Sequence, residues 1–266
     1  PLPACCTIEG IELPCISVTP FEASAPTKLR MICAMLALAC LMSFAFVLPR
    51  AGPLPAWFAA LALLSIPRFA FHGRVPTLDM TVAATTTCFL LIFWRLHRRA
   101  GYRPLVLMGL VFGAALASKL NAPFALIGCG LYWVVEHLHT TRRSAKGIVL
   151  PPIPLWMIVV PTVGFALHLM LWPYMWIDTI ERYSAYVSFH TKHYPIYLFY
   201  EGQIWDRPFA PWHAPFRLAW AALPTLTLLT GLVGIGHLAR RLQRPDDEGR
   251  FARFLLIHLL VAIGTV

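Results

Sequence analysis

Long apolar runs separated by short polar gaps occupy most of the chain. Eight of these runs are compatible with membrane-crossing helices, at roughly 31–48, 54–70, 79–95, 104–119, 121–138, 150–173, 216–238 and 253–266. The pattern predicts an all-α fold, a polytopic membrane helix bundle of about eight spans. One long loop, 174–215, separates the sixth span from the seventh. The second run is short for a full crossing, and the fourth and fifth almost abut. Residues 1–30 show no such run and are expected to form an irregular N-terminal segment ahead of a transmembrane domain at 31–266. The chain starts at Pro1 and stops at Val266 inside an apolar run, so it is expected to be a piece of a longer protein.

The gaps alternate in character. Arg95, Arg98, Arg99 and Arg103 lie in one, Arg142, Arg143 and Lys146 in another, and Arg240, Arg241, Arg244, Arg250 and Arg253 in a third. If each run crosses once, all three fall on one side. The excess of positive charge on cytoplasmic loops makes that side the cytosol. Lys28 and Arg30, on the other side of the first span, run mildly against this assignment. The opposite, extracytoplasmic face then receives residues 1–30, the gap at 68–78, the tight turn at 119–121 and the loop 174–215.

Composition supports a membrane protein and narrows its partners. The chain is 58% hydrophobic and 13% charged, about half the charged share of an ordinary soluble domain. Its net charge of +10 would suit nucleic acid, but the basic residues sit between apolar runs and form no amphipathic face. No nucleic-acid partner is expected. Of the seven cysteines, Cys33, Cys40, Cys88 and Cys129 lie in apolar runs, where cysteine acts as a small hydrophobe. No CxxC pair, phosphate-binding glycine loop or HExxH motif is present.

Candidate chemistry gathers on the extracytoplasmic side. The gap FHGRVPTLDM (71–80) places His72, Arg74 and Asp79 together. A carboxylate beginning a membrane helix serves as a cap or faces a polar cavity, and arginine matches the fork of a phosphate. Lys119, in GAALASKLNAP, either snorkels to the interface or places a point charge near a lipid phosphate. The small residues Gly113, Ala114, Ala117 and Ser118 before it permit close helix packing, which would hold Lys119 within the bundle. The loop 174–215 is rich in Trp and Tyr, which suits either an interfacial aromatic belt or a sugar or prenyl-phosphate site. Its DTIERYSAYVSFH stretch has helical spacing. His190 and His193 are three apart but lack a clear third ligand, so no metal site is assigned. Glu201, Asp206, Trp212 and His213 are further polar or aromatic candidates there. His168, His237 and His258, alone in apolar runs, are expected to pack or hydrogen-bond.

Four segments, in order, resemble the C-type polyprenyl-phosphate-dependent glycosyltransferases, the group of protein mannosyltransferases and bacterial aminoarabinose transferases. PRFAFHGRVPTLDM resembles that family's second outer-loop region. GLVFGAALASKLNAPFAL is similar to its glycine-rich helix ending in lysine. LWPYMWIDTIERYSAYVSFHTKHY resembles its Trp-Pro-x-x-Trp entry into a long outer loop, and YEGQIWDRPFAPWHAPF its Pro-Trp-His-x-Pro close. Together they cover about 67–216.

The resemblance implies transfer of a sugar from a polyprenyl-phosphate donor in the membrane to a protein, lipid or glycan acceptor. The reaction would take place on the extracytoplasmic face, in a bacterial inner membrane, with the lipid-linked sugar as donor substrate and no certain cofactor. A divalent metal has no support in the sequence. Asp79 would be the functional carboxylate and Lys119 would approach the donor phosphate. His72, Arg74, His190, His193, Glu201, Trp212 and His213 would line the donor and acceptor cavity. The family carries an acidic general base in its first outer loop. Residues 1–30 stand in that place and offer Glu9, Glu12 and Glu22 without the family's motif, so the base is not assigned. Rival readings are a transporter or channel subunit, since intramembrane charges also mark substrate paths, and a catalytically incomplete fragment.

Overall fold

Proline and glycine set most helix boundaries. The structure, a computed structural model, describes residues 25–75, 78–141, 153–191, 198–205 and 211–264. Helix α1 (Ala25–Ala51) ends at Gly52, whose φ of 82° a side chain would resist, and Pro53 opens α2 (Pro53–Ser65). α1 therefore begins within the stretch expected to be irregular. Then come α3 (Pro67–His72), α4 (Leu78–Leu96), α5 (Tyr102–Ser118), α6 (Pro123–Thr141) and α7 (Trp156–Leu171). A 3₁₀ turn (Pro173–Trp176) leads to α8 (Thr179–Thr191). The hairpin strands β1 (Leu198–Tyr200) and β2 (Gln203–Trp205) pair antiparallel, with Phe199 opposite Ile204. The chain closes with α9 (Ala214–Ala222), α10 (Thr225–Arg241) and α11 (Asp247–Gly264).

The described residues form a helix bundle, with one hairpin of two three-residue strands as the departure from all-α. Two apolar runs expected to be single spans are each two helices. Pro67 forces Ile66 into an extended conformation and separates α2 from α3. Pro224 does the same to Leu223 between α9 and α10. The cause is the clash between a proline ring and a helical preceding residue. DTIERYSAYVSFH is helical, as its spacing suggests.

The helices alternate in direction. α4 and α5 are antiparallel neighbours joined by a short turn, with α1 packed against α4. α5 and α7 run parallel: Gly109 meets Val163, and one turn on Gly113 meets Gly164 and Leu167. A side chain at Gly113 would place its Cβ 2.7 Å from the Gly164 carbonyl oxygen, so this crossing requires glycine. α6 and α11 are antiparallel, with His258 beside Ala125 and Arg253 bonded to Glu136. The core lies between α4, α5, α6, α7 and α11, around Phe89, Phe93, Phe112, Tyr132, Trp156 and Phe254.

The outside is unusually apolar. Leu54, Ile180 and Trp212 are each at least 80% exposed, α10 buries no residue, and leucine, phenylalanine and tryptophan cover the outer helix faces. Buried polar residues among those described are His168 and Arg253. Two helices, Arg30–Ala51 and Leu78–Leu96, are long and apolar enough to cross a membrane, and four shorter ones are comparably apolar. On α4, Thr85 and Thr87 return their hydroxyls to the carbonyls of Thr81 and Ala83 at 2.7 Å, which satisfies them without water.

Candidate functional site

Antiparallel pairing brings the start of α4 to the end of α5. Asp79 occupies the first turn of α4, where the positive end of the helix dipole favours a carboxylate. Lys119 caps α5, extended at φ −165°, with its N–H donating to the Ala115 carbonyl at 3.2 Å. There the negative end of the dipole favours an ammonium. Lys119 Nζ donates to Asp79 Oδ1 at 2.7 Å, and His72 Nδ1 lies 3.6 Å from Asp79 Oδ2. Each carboxylate oxygen thus faces a different base. The lysine and aspartate side chains are 41% and 43% exposed, so water screens the pair and it adds at most about 1 kcal/mol to stability.

Beside this pair lies a cavity of ≈ 390 Å³. Arg68, His72 and Asp79 form its polar side, and Ile66, Phe69 and Met80 its apolar wall. Arg68 was not among the sequence candidates. It stands four residues before His72 on α3, so the two side chains share one helix face. That spacing within PRFAFH was the available signal. Among the described residues, with Lys119 matched to Asp79, the Arg68 charge is in excess, and the cluster is net positive. A phosphate ester entering it would meet charge-assisted donors.

The other candidates lie elsewhere. Arg74 is exposed on the turn after α3 and does not line the cavity. His190 bonds through Nδ1 to the Tyr186 carbonyl of its own helix at 2.8 Å. Glu201, at the hairpin turn with φ 53°, is ion-paired with Arg217 of α9. His213, at the start of α9, lies near Tyr200 (ring centroids 5.9 Å apart), and Trp212 is 82% exposed. These residues form a second local group, the hairpin against α9. His193 and Asp206 lie outside the described residues. Among the lone histidines, His258 bonds to the Phe254 and Ala125 carbonyls at 2.7 and 3.3 Å. His168 is buried with no hydrogen-bond partner among the described residues, and His237 is exposed.

The segment 174–215 departs from this same end of the bundle. α7 runs parallel to α5 and so delivers it there. α10 begins there too, with Thr227 Oγ1 3.3 Å from Ser65 Oγ at the end of α2. Comparison with known proteins finds no match: no protein-family model, no curated protein and no solved structure matches this chain. Among the described residues, no group of three or more His, Cys, Asp or Glu is placed to hold a metal ion.

Proposed function

We propose that this chain is a multi-pass membrane glycosyltransferase that moves a sugar from a polyprenyl-phosphate donor to an acceptor on the extracytoplasmic face, with Asp79 and Lys119 in its site. One observation carries the reading. Asp79 and Lys119, 40 residues apart and in two separate segments of the family resemblance, meet at 2.7 Å beside a cavity. An apolar outer surface supports placing the whole bundle in lipid. The alternating helix directions support putting this cluster on the face opposite the basic loops.

The chemistry follows from the charges. The acceptor oxygen attacks the anomeric carbon, the carbon–oxygen bond to phosphate breaks, and the lipid phosphate departs with the bonding pair and takes up the proton that the acceptor hydroxyl loses. Negative charge grows on the leaving phosphate, where Lys119 and Arg68 stabilise it. Asp79 holds the Lys119 ammonium and the His72 ring in place. The apolar wall of Ile66, Phe69 and Met80 takes the first carbons of the lipid and limits water.

The test is the full chain in liposomes with polyprenyl-phosphate-linked sugars and candidate protein, lipid and glycan acceptors, read by mass spectrometry. Sugar appears on an acceptor with the wild type and is lost in Asp79→Asn and Lys119→Ala. Wild-type turnover in both variants removes these residues from the site. The half-exposed ion pair at two helix ends also fits a transporter's substrate path. Sugar uptake into the liposomes without transfer to any acceptor would favour that reading.

A further inference from the structure

A second cavity lies at the opposite end of the bundle, outside the proposed transfer site. It measures ≈ 380 Å³ and opens between the ends of α4 and α6 and the starts of α7 and α11. Phe93, Trp133 and Trp156 form an aromatic wall, and Arg98 and Arg250 face it with Glu136.

The charges here do not balance. Asp247 is the carboxylate for three guanidiniums: Arg98 and Arg250 each approach Oδ1 at 3.2 Å, and Arg50 approaches Oδ2 at 3.9 Å. Three positive charges against one negative leave two unmatched in this group. Asp247 is not part of the cavity lining, so the counter-charge that Arg98 and Arg250 share lies beside the cavity rather than in it. The lining carboxylate, Glu136, is already bonded to Arg253, which also donates to the Arg244 carbonyl at 3.0 Å. Arg250 Nε is buried with no hydrogen-bond partner among the described residues. A buried donor without an acceptor is costly, and an oxyanion beside Arg250 would satisfy it.

We infer that this cavity is a binding site for a phosphate ester, with Arg98 and Arg250 clasping the phosphate and the aromatic wall covering the adjoining carbons. Guanidinium pairs match phosphate oxygens in geometry as well as charge. A volume of this order sits at the small end of ligand pockets, about 300–1,000 Å³. The ester comes from one of two sources, a lipid headgroup of the adjacent leaflet or a soluble metabolite. Basic pockets between membrane helices on the cytoplasmic side hold anionic headgroups in this way.

The test uses the full chain in phosphatidylcholine nanodiscs containing phosphatidylglycerol, with retained lipid counted by native mass spectrometry. Wild type keeps bound phosphatidylglycerol. Arg98→Gln with Arg250→Gln lowers retention about tenfold or more. Arg99→Gln with Arg103→Gln removes the same charge outside the cavity and stays within about twofold. Should the first variant fail to fold, Arg98→Lys with Arg250→Lys keeps the charge but loses the fork, and it also weakens retention. Added glycerol 3-phosphate then identifies the source. Displacement of the lipid admits soluble esters, and no displacement assigns the site to the membrane. Equal loss in the two glutamine variants, or no arginine-dependent retention of either probe, overturns the inference.

Discussion

The two ends of the bundle use the same parts to different effect. At each end one carboxylate is shared between basic side chains beside a cavity of similar size, Asp79 between Lys119 and His72 and Asp247 among Arg50, Arg98 and Arg250. At the Asp79 end the carboxylate itself lines the cavity, so a substrate meets both signs of charge. At the basic end Asp247 stands behind Arg98 and Arg250, and the carboxylate that does line the cavity, Glu136, is taken up by Arg253, which lies outside the lining. A site of both signs can orient a hydroxyl and stabilise a leaving anion. A site whose lining carboxylate is already clasped, with two guanidiniums beside it, suits holding an anion. The ion pairs differ too. Asp79–Lys119 is half-exposed, whereas Arg253–Glu136 is 6% and 19% exposed. The first suits a group that must meet substrate, the second a structural clasp.

This contrast orders the expected effects. The largest is at the clasp. Arg253→Met removes the guanidinium bonded to Glu136, a carboxylate only 19% exposed, and should cost about 3–5 kcal/mol, read as a fall in the thermal unfolding midpoint in detergent. Adding Glu136→Gln should recover most of that loss. No recovery would mean that the arginine acts through its bonds to the Leu242 and Arg244 carbonyls instead.

Next comes Lys119→Ala. Sugar transfer should fall about 10²- to 10³-fold, as when one transition-state donor is removed. Stability should change by no more than about 1 kcal/mol. A large stability loss with normal transfer would reverse the contrast between the ends.

Third, Gly113→Val forces α5 away from α7, and overpacking of this kind costs about 1–3 kcal/mol. Gly130→Ala, where a Cβ meets nothing within 4 Å, should be neutral or slightly stabilising by comparison. Equal destabilisation of the two would show that the helix crossing is not what fixes the spacing.

The smallest effect concerns pH at the basic end. Burial raises the Asp247 carboxyl, but the Arg250 hydrogen bond and the Arg98 charge outweigh it and hold the group below the ordinary carboxylate range. A carboxyl lowered by folding adds stability above its unfolded value, near 3.9, and that contribution disappears as pH falls through the folded value. Because Asp247 is 62% exposed, screening keeps this under about 1 kcal/mol. Asp247→Asn should therefore unfold slightly earlier than wild type at pH 7 and together with it at pH 2.

The helices were readable in the sequence because apolar runs ended at proline, glycine or arginine. The breaks at Ile66 and Leu223 were readable too, since each precedes a proline, but the unbroken hydrophobicity of 54–70 and 216–238 hides them. The meeting of Asp79 and Lys119 follows from two helices of similar length joined by a short turn. Arg68 is hard to find in the sequence because it stands one helical turn before His72, ahead of the polar gap FHGRVPTLDM in which Arg74 is the visible arginine. The sharing of Asp247 among Arg50, Arg98 and Arg250 was beyond reach, since it joins the ends of α1 and α4 to the start of α11. No local spacing encodes such a contact.

The account rests on these ends facing opposite sides of a membrane, with Asp79 away from the cytosol. Single cysteines at Arg74 and at Arg99, both exposed, on a background without the native cysteines, test this with a membrane-impermeant thiol reagent in sealed right-side-out vesicles. The account predicts labelling at 74 in intact vesicles and at 99 only after permeabilisation. Labelling of both positions in intact vesicles, or of 99 alone, would contradict it.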